Sequence, residues 1–145
     1  MTLVETMVFL VVVSIALVAL VRVFSQGVSD SVDPVVRARA LELGQATLDE
    51  ILARKFDENT PTGGVPACNS TEGPACAGIA PDGDYDDVGD YHGFSDTSNP
   101  YHTVDVTVTD ANVAGFPAAQ TRLITVTVSL PGGDSLTLSA YKANF

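Results

Sequence analysis

The sequence is short of positive charge. Seven Lys and Arg stand against 18 Asp and Glu, giving a net charge of −11 over 145 residues. Such a chain has no basic footprint for a phosphate backbone, so nucleic acid is excluded as an expected partner. Electrostatic docking on anionic lipid is disfavoured for the same reason. Cysteine is nearly absent: Cys68 and Cys76 stand in Cys-Asn-Ser-Thr-Glu-Gly-Pro-Ala-Cys, a spacing that fits neither a zinc motif nor a redox motif. His92 and His102 are the two histidines. No nucleophile motif, phosphate loop or metalloprotease spacing accompanies them, which argues against an enzyme. The first residues also lack the basic flank and small-residue cleavage site of a secretory signal peptide.

What the chain does have is an apolar run from Met7 to Val21, interrupted by Ser14, preceded by Glu5 and followed by Arg22. As a helix, residues 1 to 24 cross most of a bilayer core of roughly 30 Å, and Arg22 can snorkel to the headgroups. A carboxylate at the mouth of such a segment is costly unless partnered, and such residues usually mark function. An amine at a chain start is the natural partner. Within one chain Glu5 lies about a helical turn from its own N-terminus, an awkward geometry. Between two staggered neighbours the pairing is natural, so the segment reads as an assembly signal.

Met1-Thr2-Leu3-Val4-Glu5 followed by an apolar helix resembles the mature N-terminus of the type IV pilins and type II secretion pseudopilins. Three further segments extend the likeness to the MshD-type minor pilins of the mannose-sensitive haemagglutinin (MSHA) pilus. These are Ser31-Val-Asp-Pro-Val-Val-Arg-Ala-Arg-Ala, Gln45-Ala-Thr-Leu-Asp-Glu-Ile-Leu and Tyr85-Asp-Asp-Val-Gly-Asp-Tyr-His-Gly-Phe94. The resemblance implies a leader removed by a prepilin peptidase and an N-methylated first residue. It implies residence in the inner membrane with the globular part periplasmic, then extraction by an assembly platform into a helical cell-surface filament with other copies or other pilins. Met1, Thr2, Leu3 and Glu5 are then the assembly residues, with Glu5 meeting the N-terminal amine of a neighbour. One departure is Arg22, where the family commonly has a proline.

Patterning divides the chain into four parts. Residues 1–26 form the apolar assembly helix, and residues 27–56 its amphipathic continuation. A kink is expected near Gly27–Pro34, where poor helix formers precede a proline that removes a hydrogen bond and clashes with the carbonyl four residues back. In the continuation, Leu41, Gly44, Leu48, Ile51 and Leu52 recur at helical spacing, opposite Arg37, Arg39, Glu42, Gln45 and Asp49. Residues 57–100 are a long loop region. Residues 101–145 alternate as three strands, over Tyr101–Asp110, Gln120–Leu130 and Ser135–Tyr141, with Pro131-Gly132-Gly133-Asp134 as a hairpin turn. A three-stranded antiparallel sheet needs a cover, and the amphipathic helix is the obvious one. The expected class is α+β, a long N-terminal helix on a three-stranded sheet, which is also the pilin fold.

The loop carries the remaining candidates. Gly73-Pro74 lets Cys68 and Cys76 approach, and an exported chain meets an oxidising compartment, so one disulfide is expected. Closing so short a loop stabilises by roughly 2–3 kcal/mol on the chain-entropy estimate. Asp82, Asp84, Asp86, Asp87 and Asp90 form the sort of oxygen cluster that holds Ca2+. The EF-hand template is not met: counting from Asp82, its Gly and Glu positions hold Asp87 and Gly93. Turn-capping aspartates are the alternative, and no other cofactor is expected. Tyr85, Tyr91, Phe94 and Tyr101 either offer a platform for a sugar or anchor the loop on the sheet. The function read from this sequence is a structural subunit of a type IV pilus-like filament. A minor or tip pilin acting as adhesin or initiator, and a secretion pseudopilin, are the alternatives.

Overall fold

This computed structural model describes residues 2–116 and 120–145, with the backbone alone for 26–33. The chain forms two compact units, Met1–Arg37 and Ala38–Phe145, each described by itself. Helix α1 spans Leu3–Leu52 with Pro34 inside it. The chain therefore does not open around Asp30, as its composition suggests. One lost hydrogen bond does not interrupt a helix whose neighbouring turns propagate cooperatively.

The sheet has four antiparallel strands rather than three, in the order β1-β2-β3-β4: Ser95–Asp96, Thr103–Asp110, Thr121–Ser129 and Ser135–Ala143. β1 lies inside the stretch expected to be loop. Two residues carry no periodicity to detect. It is held by its flanks, where Gly93 donates to the Val106 carbonyl at 3.0 Å, Val106 donates back to Phe94 at 2.9 Å, and the Ser95 hydroxyl donates to Asp105 at 2.7 Å. The β3–β4 turn closes through the Leu130 N–H on the Asp134 carbonyl, at 2.8 Å. Gly132 and Gly133 there have φ of 102° and 93°, which only glycine adopts without strain.

Strand register sorts the side chains by face. On one face run three apolar rows: Val104–Val128–Leu136, Val106–Val126–Leu138 and Val108–Ile124–Ala140. A fourth row continues them with Asp110, Arg122 and Lys142. The other face is mostly hydroxyl, as in Thr107–Thr125–Ser139. The valines and Ile124 of the apolar rows are buried, each contributing about 1.5–3 kcal/mol of transfer free energy.

The helical part of the second unit covers this face through Ala40, Gly44 and Ile51, all buried. A Cβ at Gly44 would stand 2.5 Å from Leu138 and 3.2 Å from Val128, so glycine permits the close approach. Leu48 and Leu52 are half-buried, but Leu41, expected on this face, is 39 % exposed. The buried stripe runs through Ala40, one residue out of phase with Leu41, because a small residue fits where the backbone comes nearest the sheet. The helix also ends at Leu52 instead of near Phe56. Beyond it the Lys55 backbone is taken by a bridge to Asp87, with Val88 donating to the Lys55 carbonyl at 3.0 Å. Lys142 caps the helix end by donating to the Leu52 carbonyl at 2.8 Å.

Candidate functional site

Leu3–Ser25, the first 23 residues of α1, holds a window of mean hydropathy 2.8, none of which is buried. It is long and apolar enough to cross a membrane. Its hydroxyls are already satisfied along the helix: Thr6 donates to the Leu3 carbonyl at 2.9 Å and Ser14 to the Leu10 carbonyl at 2.7 Å. That suits an environment without water. Thr2 and Glu5 bond reciprocally: the Thr2 N–H reaches Glu5 Oε2 and the Glu5 N–H reaches Thr2 Oγ1, each at 3.4 Å. This is a capping box, a local role for Glu5 that the Thr-x-x-Glu spacing signals. Both bonds are long, so the cap is weak. Leu3 opens the helix and is exposed. Met1, the remaining expected assembly residue, lies outside the described residues.

In the second unit the polar residues converge on a buried centre built around Arg122, Asp57 and Asp87. Arg122 Nη2 meets Asp57 Oδ2 at 2.7 Å with both side chains essentially fully buried. Arg122 Nη1 donates to the Phe56 carbonyl, its guanidinium lies 4.5 Å from the Phe56 ring centroid, and Asp87 Oδ1 is 3.9 Å away. Asp57 also accepts the N–H groups of Asn59, Ala77 and Gly78 at 3.1, 2.8 and 2.8 Å. Burial alone would raise its pKa, but these bonds and Arg122 outweigh it and hold the carboxyl below the usual range. Asp87 goes the other way. Burial, then the neighbouring Asp90, push it up to about 6. Arg122 was not singled out from the sequence, although it occupies an inward position of β3 in phase with Ile124, Val126 and Val128. A charge at a core-facing position is itself the signal.

The acidic loop is organised by the same logic. Asp90 is buried, and its carboxylate accepts the N–H groups of Asp82 at 3.2 Å and of Asp86 and Asp87 at 3.1 Å. Asp87 Oδ1 accepts from Gly89 and from Asp90, and Asp82 caps the Asp84 N–H at 3.0 Å. Of the five aspartates expected to gather round Ca2+, the structure brings together Asp86 and Asp90. Glu58 joins them, the three offering oxygens within 4.8 Å of one another. Asp82, Asp84 and Asp87 stand outside that group. Lys55 Nζ already lies 3.0 Å from Asp86 and 3.4 Å from Glu58, supplying a positive charge where a cation would bring one.

Cys68 and Cys76 form a disulfide with Cα atoms 5.0 Å apart. Tyr85, Tyr91 and Phe94 cluster with ring centroids 5.1, 5.5 and 5.8 Å apart. Tyr91 is buried, donates to Glu50 at 2.9 Å and accepts from Arg54 at 3.3 Å. These three rings therefore fasten the loop, whereas Tyr101 stands 70 % exposed elsewhere. The histidines serve the backbone: His92 Nδ1 accepts the Val108 N–H and His102 Nδ1 donates to the Ser129 carbonyl, both at 3.2 Å. Compared with known proteins, the chain matches no family model, no curated protein and no solved structure.

Proposed function

We propose that this chain is a structural subunit of a type IV pilus-like extracellular filament, held in the inner membrane before assembly and built into the fibre through its N-terminal helix. The observation that carries the proposal is the uncovered apolar helix Leu3–Ser25 with a single carboxylate in its first turn. A helix apolar all round must be solvated by lipid or by its own kind. In lipid the first need is met before assembly; in a fibre the neighbouring helices replace lipid. Glu5 then pairs with the N-terminal amine of an adjacent subunit, so that two charges leaving water cancel. An unpaired carboxylate in such an interior costs several kcal/mol, so the pair sets register as well as contributing attraction. The folded unit supplies the outer surface, and its excess of acids keeps that surface soluble.

Within this reading the resemblance of Ser31–Ala40, Gln45–Leu52 and Tyr85–Phe94 to MSHA minor pilins does not decide between a scarce subunit and the bulk one. Mass spectrometry of filaments sheared from native cells tests both levels. A minor-pilin role predicts a trace component beside an abundant pilin, with an N-methylated Met1. Dominance of this chain would make it the main subunit, and its absence from sheared filaments would overturn the proposal.

A further inference from the structure

The two edges of the sheet are built differently. β1, at one edge, is two residues long and carries Asp96, with Asp105 exposed beside it on β2. A short strand and charged side chains are the usual devices that keep an edge from pairing. β4, at the other edge, runs nine residues with no proline and no acid, in a chain that has 18 acids. Its one charge, Lys142, is turned onto the Leu52 carbonyl. Among the described residues no strand lies beyond β4.

The register fixes which backbone groups face out. Bonded and non-bonded pairs alternate along an antiparallel ladder. The Leu130 N–H on the Asp134 carbonyl and the Asn144 N–H on the Gln120 carbonyl mark the bonded phase at the two ends of β3–β4, at 2.8 and 3.0 Å. Leu136, Leu138 and Ala140 therefore spend their N–H and C=O groups on β3. Those of Thr137, Ser139 and Tyr141 point away from the sheet, repeating about every 7 Å.

Beside that row the apolar face is unfinished. Leu136, Leu138 and Ala140 are half-buried, whereas their partners Val128, Val126 and Ile124 are buried. The helical part of this unit lies over the same edge, since a Cβ at Gly44 would meet Leu138 and the Leu52 carbonyl takes Lys142. One side of that helix, with Arg39, Leu43 and Ala46, lines a cavity against the segment leading into β2. Leu41 and Leu48 lie on the other side, flanking β4, the first exposed and the second half-buried.

A row of alternating donors and acceptors at the strand repeat is matched in full by another extended backbone. The side chains of such a strand would continue the apolar rows on the helix side and the hydroxyl face on the other. We propose that β4 takes an extended segment of another polypeptide as a fifth strand, its alternate apolar side chains packing against Leu136, Leu138, Leu41 and Leu48. The net charge of −11 opposes a second copy and favours a segment bearing Lys or Arg. The inference does not depend on the filament reading.

The test is fluorescence anisotropy of a labelled synthetic peptide titrated with the full chain in detergent. The probe is the β3 sequence Thr121–Ser129 flanked by lysines, because its alternation already fits β4 from the other side. This peptide binds, and a scrambled version without the alternation binds about tenfold more weakly or worse. Ser139→Pro removes an outward N–H without touching a β3–β4 bond, and weakens binding about tenfold. Leu41→Lys weakens it several-fold. Hydrogen exchange on the native chain reads the same edge without a substitution: the peptide slows the Thr137, Ser139 and Tyr141 amides, while those of Leu136 and Leu138 are already slow. No slowing of those three amides, or equal slowing by the scrambled peptide, overturns the proposal. Dimerisation through β4 without uptake of the peptide overturns it in favour of a second copy.

Discussion

The two units of this molecule invert each other. In Leu3–Ser25 apolar side chains face outward and no described residue covers its most apolar window; in the unit Ala38–Phe145 an arginine and three aspartates are buried. The helix is complete in its backbone and incomplete in its surroundings, so its stability belongs to whatever solvates it. The buried carboxylates are answered from within: Asp57 has an arginine and three N–H donors, and Asp90 has three N–H donors, while Arg122 Nε is buried without a hydrogen-bond partner.

The comparison breaks most visibly at Arg122. Arg122→Ala leaves Asp57 buried beside Asp87 with no counter-charge and should cost about 3–5 kcal/mol of folding stability, read from urea midpoints. A charged substitution in the helix, Leu10→Asp, should leave those midpoints unchanged while opposing membrane insertion by about 2.5–3.5 kcal/mol, read by membrane fractionation. If Leu10→Asp destabilises the folded unit as much as Arg122→Ala does, the two regions are not energetically separate. Replacing Cys68 and Cys76 by Ser should cost about 2–3 kcal/mol, seen equally as a loss on adding reductant to the native chain.

A finer effect concerns pH. Asp87, raised from 3.8 to about 6 in the folded state, favours the native state fully below its unfolded pKa, and that contribution is lost as pH rises through about 6. Asp57, depressed in the folded state, contributes above its unfolded pKa, and that contribution is lost as pH falls below it. On these two groups the folded unit should be most stable near the ordinary carboxylate pKa, at pH ~4, and should lose stability from there to about pH 6. Asp87→Asn keeps an acceptor for the Gly89 and Asp90 N–H groups without the charge. It should flatten the alkaline arm, with a gain on the order of 1–3 kcal/mol near neutral pH. Smaller still, Lys142→Met removes the cap on Leu52 and should cost about 1 kcal/mol by the same midpoints.

What the sequence makes legible follows from how far each signal reaches. The apolar run and the three long strands are periodic patterns contained in a dozen or two residues, and all were readable. Ser95–Asp96 was not, because two residues show no period and their pairing is imposed by Val106. On the helix face Gly44 and Ile51 were readable, but Leu41 was placed one residue out, since Ala40 is less hydrophobic and only the sheet's nearness favours it. The charged centre joins Asp57 to Arg122 across 65 residues, so composition alone could not assemble it, yet an arginine in step with Ile124, Val126 and Val128 announced that something inside must answer it. The aspartates of the 82–90 loop show the converse. Their clustering suggests a cation, while Asp82, Asp87 and Asp90 spend carboxylate oxygens on N–H groups of their own loop.

The central claim is that the charge of Glu5, and not its part in the helix cap, drives assembly. Glu5→Gln separates the two, because glutamine at this place can still close the capping box with Thr2 but carries no charge. The measurement is the amount of this variant in sheared filaments against the amount in the membrane, with Thr2→Ala, which loses the cap and keeps the charge, beside it. Glu5→Gln should be retained in the membrane and depleted from filaments, with Thr2→Ala incorporated nearly as well as the native chain. Normal incorporation of Glu5→Gln would contradict it.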